Sequence, residues 1–135
     1  MNMAELKALP PIALSAADFA QLQRLANAAA NQFPRTADFL AREVERARVV
    51  DPAEAPPNLV TMGSEVEFRD DANGKVRRVT LVYPHQADID SNRISVLTPI
   101  GAALIGLSVG QAIEFQGPTG GTRSLTVLGV HAPAE

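Results

Sequence analysis

The sequence predicts an α+β fold: a short antiparallel helical hairpin at the N-terminal end, then an antiparallel β-sheet domain with one short helix. Apolar residues recur at helical spacing over the first 50 positions and at alternate positions beyond about residue 60. Between the two regimes lies "DPAEAPPN", with three prolines in eight residues, which reads as a linker. The implied layout is a hairpin segment over 1–50, a linker over 51–58, a sheet domain over 59–131 and a tail over 132–135.

The first helix starts at Ser15, whose hydroxyl can cap it, with Asp18 three residues on in a capping-box-like position. Phe19, Leu22, Leu25 and Ala26 carry it to about residue 31. Pro34 disfavours helix at Phe33 and interrupts the run. Thr36 is the expected cap of the second helix, with Phe39, Leu40, Val44 and Ala47 as its apolar stripe. Two helices of similar length on a short connection pack antiparallel most simply.

In "SEVEFR", Val66 and Phe68 alternate with Glu65, Glu67 and Arg69, a half-buried strand. Asn73-Gly74 signals a turn, and "VRRVTLVY" returns with Val79, Leu81 and Tyr83 on one face. "RISVL" reads as a third strand, and "QAIEF" with "RSLTVLGV" as a final pair. Four to six strands are expected, arranged antiparallel.

One stretch, "ISVLTPIGAALIGLSVGQAIEF", holds no charge between Arg93 and Glu114. Its polar residues, proline and glycines break it into strand, turn and helix, which excludes a bilayer span. The Gly101–Gly106 spacing lacks the lysine of a phosphate loop, because Leu107 follows the second glycine. Thr98 instead caps a helix over about 99–105, Pro99 opens it, and Gly106 closes it in the left-handed region. The Gly101–Leu104 run is expected to pack in the core.

Composition narrows function further. A net charge of −3 gives no general attraction to nucleic acid or anionic lipid, and no sequence-specific nucleic-acid partner is expected. Residues 51–135 carry six Lys/Arg against ten Asp/Glu, so the second half suits a basic protein surface. There is no cysteine, which excludes disulfides and thiolate metal sites. The N-terminus lacks the basic start and apolar run of a secretory signal, and a cytoplasmic protein is expected.

The combination "VTMGSEVEFRD…TLVYPHQAD…SVLTPIGAALIGLSVG…PTGG" resembles the C-terminal domain of the Gre transcript-cleavage factors. With "PPIALSAAD" leading into a short hairpin, it resembles more closely their Rnk relatives, the regulators of nucleoside diphosphate kinase. The resemblance covers roughly residues 10–130. It implies an FKBP-like sheet domain that docks on the β′ coiled coil at the rim of the RNA polymerase secondary channel.

In Gre factors an acidic pair at the coiled-coil tip helps hold the catalytic Mg²⁺. Here the tip, "NAAANQFPRTADF", offers one carboxylate, Asp38. Such a metal needs at least two convergent oxygen ligands. A helix of 16 residues also spans only about 24 Å, much shorter than the coiled coil of the Gre factors. No catalytic residue, metal or cofactor is therefore expected, nor any stimulation of RNA cleavage.

The docking loop is the better candidate for retained function. The family's Asp-Ser-Pro-like run falls on Leu97, Thr98 and Pro99, with Leu97 in place of the acid. The alternative reading of Thr98-Pro99 is simply a helix start. Phe33, Arg35 and Asp38 at the hairpin tip are candidate channel contacts, with a staple-like role for Phe33 and a first-turn helix acid for Asp38 as alternatives.

Other residues carry less. Arg77 and Arg78 are adjacent and point to opposite strand faces; Asp88 and Asp90 fall in a loop; His85 and His131 have no ligand spacing. A regulator of RNA polymerase is the leading reading, with oligomeric state open. The alternatives are an adaptor of nucleoside diphosphate kinase and, from fold alone, a peptidyl-prolyl isomerase. For the last, the sheet domain supplies only Phe68, Tyr83 and Phe115 as aromatics.

Overall fold

The computed structural model describes residues 9–51, 58–117 and 121–131. The tail over 132–135 and most of the linker, 52–57, lie outside the described residues.

Strand β1 (Ala13–Ser15) runs into helix α1 (Ala16–Ala29), then helix α2 (Pro34–Arg46) and strand β2 (Arg48–Val50). The Ser15 hydroxyl caps α1 as expected, accepting the Asp18 N–H at 3.1 Å. The second helix starts earlier than the sequence suggests. Pro34 sits in its first turn, Phe33 is the N-cap residue without a side-chain bond, and Thr36 lies inside the helix and caps nothing. Proline's fixed φ suits a first helical position, and its missing N–H removes one of the donors a cap would serve.

The sheet comprises β3 (Glu65–Asp70), β4 (Val76–Val82), β5 (Arg93–Ser95), β6 (Ala112–Gln116) and β7 (Thr122–His131) in the order β5-β4-β3-β7-β6. Helix α3 (Pro99–Leu104) lies between β5 and β6 in sequence. The β3–β4 hairpin turns at Asn73-Gly74, with Gly74 at φ +73°.

The expectation of an antiparallel sheet needs correction: the sheet is mixed, because β5 pairs parallel with β4, Thr80 opposite Arg93 and Val82 opposite Ser95. The connection over 83–92 carries two short 3-10 turns, Pro84–Gln86 and Ile89–Ser91, and brings the chain back alongside β4 in the same direction. A register shift between β3 and β7 at Glu67/Phe68 leaves Leu128 unpaired there and curls the sheet.

Hairpin and sheet share one core. Leu22, Ala26, Leu40 and Val44 of the helices pack in the same cluster as Val66, Phe68, Leu81, Leu104 and Leu125. Residues Gly101 to Leu104 are all buried, as the sequence predicts. A side chain at Gly101 would collide with the Ser95 carbonyl oxygen. Gly106 adopts φ +83° and packs where an added Cβ would lie 3.0 Å from that of Ile12.

A two-stranded parallel sheet, absent from the sequence reading, ties the N-terminal segment down: Ala13 pairs with Arg48 and Ser15 with Val50. The Ala13 N–H also donates to the Gly106 carbonyl at 3.2 Å. The chain thus passes between hairpin and sheet before the first helix begins.

Candidate functional site

The loop from β5 into α3 is built around Thr98. Its hydroxyl donates to the Ser95 carbonyl at 2.7 Å and accepts the Gly101 N–H at 3.0 Å. The Leu97 N–H donates to the Ser95 hydroxyl at 2.9 Å, so three backbone groups of the turn are fixed locally. The half-buried Leu97 side chain packs against the core, with Ile100. An acid there would face apolar neighbours; a leucine is what this packing accepts.

Pro99 lines a cleft of about 550 Å³ together with Arg35, Asp38, Phe39 and Arg42 of α2 and Phe115 of β6. The structure therefore brings Arg35 and Asp38 of the hairpin together with Pro99 of the loop. Phe33, Leu97 and Thr98 are not among the cleft's lining residues. Asp38 pairs with Arg42 at 2.9 Å one turn on, both well exposed, and Phe33 is 47% exposed beyond the cleft. No group of three or more His, Cys, Asp or Glu side chains suited to a metal occurs among the described residues.

Two clamps that the sequence reading missed hold the hairpin in place. Glu43, 1% exposed, accepts two bonds from Arg46, at 2.9 Å from Nε and 2.8 Å from Nη2. Arg46 Nη1 then donates to the Pro10 carbonyl at 2.6 Å. Glu43 occupies the inward stripe between Leu40 and Val44, and the i,i+3 pairing with Arg46 was its only signal in sequence. The second clamp is Asp18, which accepts the Met62 N–H at 3.3 Å. Burial pushes the Asp18 carboxyl above its ordinary value, against the lowering effect of that bond. Tyr83 is pushed up to about 12 by burial and by the charge of Asp18.

The remaining sequence candidates are dispersed. Arg77 lies over the Phe68 ring, 5.8 Å from its centroid, and Arg78 approaches Glu67 at 3.7 Å from the other face. Asp88 is used locally, accepting the Asp90 N–H at 3.1 Å and the Ser91 hydroxyl at 3.0 Å. His85 stacks on Tyr83, whereas His131 ends β7. Of the three sheet-domain aromatics only Phe115 reaches the cleft; Phe68 is in the core.

Residues 44–132 match the family described as transcription elongation factor GreA/GreB, C-terminal, and residues 10–50 match the Rnk N-terminus. A solved GreA/GreB elongation factor from Nitrosomonas europaea superposes with a TM-score of 0.71 at 40% identity, covering 91% of this chain and 99% of that one. A curled mixed sheet with one capped short helix is thus a GreA/GreB C-terminal domain. The chain belongs to the GreA/GreB family and carries an Rnk N-terminus.

Among its relatives, the regulator of nucleoside diphosphate kinase of Escherichia coli K12 is 45% identical over 92 residues, 68% of each chain. The GreA elongation factor of Syntrophobacter fumaroxidans is 36% identical over 89 residues, 66% of this chain and 56% of that one. No helix among the described residues is long and apolar enough to cross a membrane.

Proposed function

We propose that this protein is a non-enzymatic transcription regulator that binds RNA polymerase at the secondary channel. Its sheet domain docks on the β′ coiled coil and competes there with Gre-type factors, without stimulating transcript cleavage. The observation that carries this reading is the Thr98-centred loop, held in the GreA/GreB sheet domain beside a hairpin tip whose one carboxylate, Asp38, is paired to Arg42. The loop keeps a docking surface. The tip lacks the second acid that a catalytic Mg²⁺ would require.

The hairpin's reach supports the same division. At 1.5 Å per residue the 14 residues of α1 extend about 21 Å, and the core and the two clamps fold the hairpin onto the sheet. Co-purification with core polymerase tests the docking. Association at micromolar concentration is expected; its absence refutes the reading.

A second reading rests on a relative's name, that of a regulator of nucleoside diphosphate kinase. A pull-down that captures the kinase without polymerase would favour it.

A further inference from the structure

Ile89 is the most exposed large apolar residue among those described, at 86%, against 52% for the next, Val76. Single exposed apolar residues are ordinary on protein surfaces. Ile89 differs in how it is held.

It starts the 3-10 turn between β4 and β5, and hydrogen bonds close that turn from every side. Asp88 and Arg93 exchange backbone bonds, each at 2.9 Å, and Asp88 also accepts the Ser91 N–H at 3.1 Å. The Asp88 carboxylate takes the Asp90 N–H and the Ser91 hydroxyl, and Asn92 ends the turn in the left-handed region at φ +57°. The Asn92 carbonyl accepts the Thr80 N–H at 2.8 Å, anchoring the turn to β4. An isoleucine presented on so tightly bonded a turn has given up backbone freedom before any partner arrives. That lowers the entropic cost of docking it.

Its position is as informative. β5 is one edge of the sheet, and three of its outward backbone groups are already bonded: Asp88 exchanges bonds with Arg93 at one end, and the Ser95 carbonyl accepts from Thr98 at the other. That leaves little of this three-residue edge for a partner to extend by adding a strand. A partner meets it chiefly through side chains, and the two turns flanking β5 present them: Ile89 at one end and the Leu97–Pro99 loop at the other.

We infer that Ile89 is an anchor of the polymerase-docking surface, inserting into an apolar pocket on the partner that is bordered by lysine or arginine. This rests on the docking reading above and extends the contact across β5. The pocket's basic border follows from the turn's charge: exposed Asp88 and Asp90 flank Ile89, with Arg93 alone at the base. Among the described residues the Asp90 side chain has no bonded partner and is free to meet such a border.

The test is titration of core RNA polymerase with labelled wild-type protein, Ile89→Ser, Ile89→Leu, Asp90→Asn and Thr98→Val, with thermal melts of each. Ile89→Ser should melt as wild type and bind at least about tenfold more weakly, as removal of a central anchor does. Ile89→Leu should restore most of the affinity. Asp90→Asn should slow association and flatten its salt dependence. If Ile89→Ser binds like wild type, the anchor is overturned, and a loss with Thr98→Val would leave the docking reading standing. If wild-type protein shows no binding at micromolar concentration, the docking reading fails and the anchor with it.

Discussion

The Asp18 carboxylate, in the first turn of the hairpin, accepts the backbone N–H of Met62 at 3.3 Å, joining segments 44 residues apart. This bond fixes the base of the hairpin to the entry of the sheet domain. Its partial burial leaves a titratable signature.

Because burial raises the folded carboxyl above 3.8, the folded protein holds this proton more tightly than the unfolded chain does. The group's contribution to stability therefore falls as pH rises from 3.8 through the raised value, and is constant above it. Urea melts of wild type and Asp18→Asn between about pH 3 and pH 7 read this directly. The wild-type-minus-variant difference should decline across that window. A rising difference would mean that the Met62 bond outweighs burial.

Glu43 is a buried acid whose charge is matched by Arg46. Glu43→Ala leaves that guanidinium without its bidentate partner and should cost about 3–5 kcal/mol in a denaturant melt. Glu43→Leu with Arg46→Met should recover much of the loss, since an apolar pair of similar volume replaces both charges. Proteolysis near Pro10 should accelerate in the single variant, because Arg46 holds the Pro10 carbonyl.

Thr98→Val removes the cap of α3 and the bond to Ser95, and should destabilise by about 1 kcal/mol. Gly101→Ala should cost more, because its new methyl group meets the Ser95 carbonyl. Thermal melts of the two variants should rank them in that order. Equal melting temperatures would show that the loop relaxes freely.

Asp38→Asn removes only an exposed i,i+4 pair with Arg42 and should change stability by less than about 0.5 kcal/mol. The same variant should leave RNA cleavage by stalled polymerase at the wild-type level. Cleavage stimulated by the wild-type protein and lost in this variant would give Asp38 a metal-holding role that one carboxylate is not expected to support.

Much of this architecture is legible in the sequence because it is local. Ser15 and Thr98 cap the helices assigned to them, Asn73-Gly74 turns the β3–β4 hairpin, and Val66 and Phe68 alternate into the core. Strand direction is another matter. A run such as "RIS" has the same alternation whether it pairs parallel or antiparallel, so the β4–β5 pairing could not be read. Three-residue strands such as β1 and β2 carry no period at all. Thr36 was a plausible cap by residue type, but Pro34 two positions earlier already fits the first turn. Glu43 was hidden because a charged residue on a helix reads as exposed unless its partner is known. In the candidate site, the capped geometry of the loop over Leu97–Pro99 was legible from its capping chemistry. The sharing of one cleft by Pro99, Arg35 and Asp38 was not, since only tertiary packing brings α2 beside α3 and β6.

The most direct test of the account is a competition assay on backtracked elongation complexes. RNA cleavage driven by a fixed amount of a Gre factor is followed as this protein is added. Cleavage should fall toward the factor-free level, and the protein alone should produce none. Stimulated cleavage, or Gre-driven cleavage that persists unchanged at saturating protein, would contradict it.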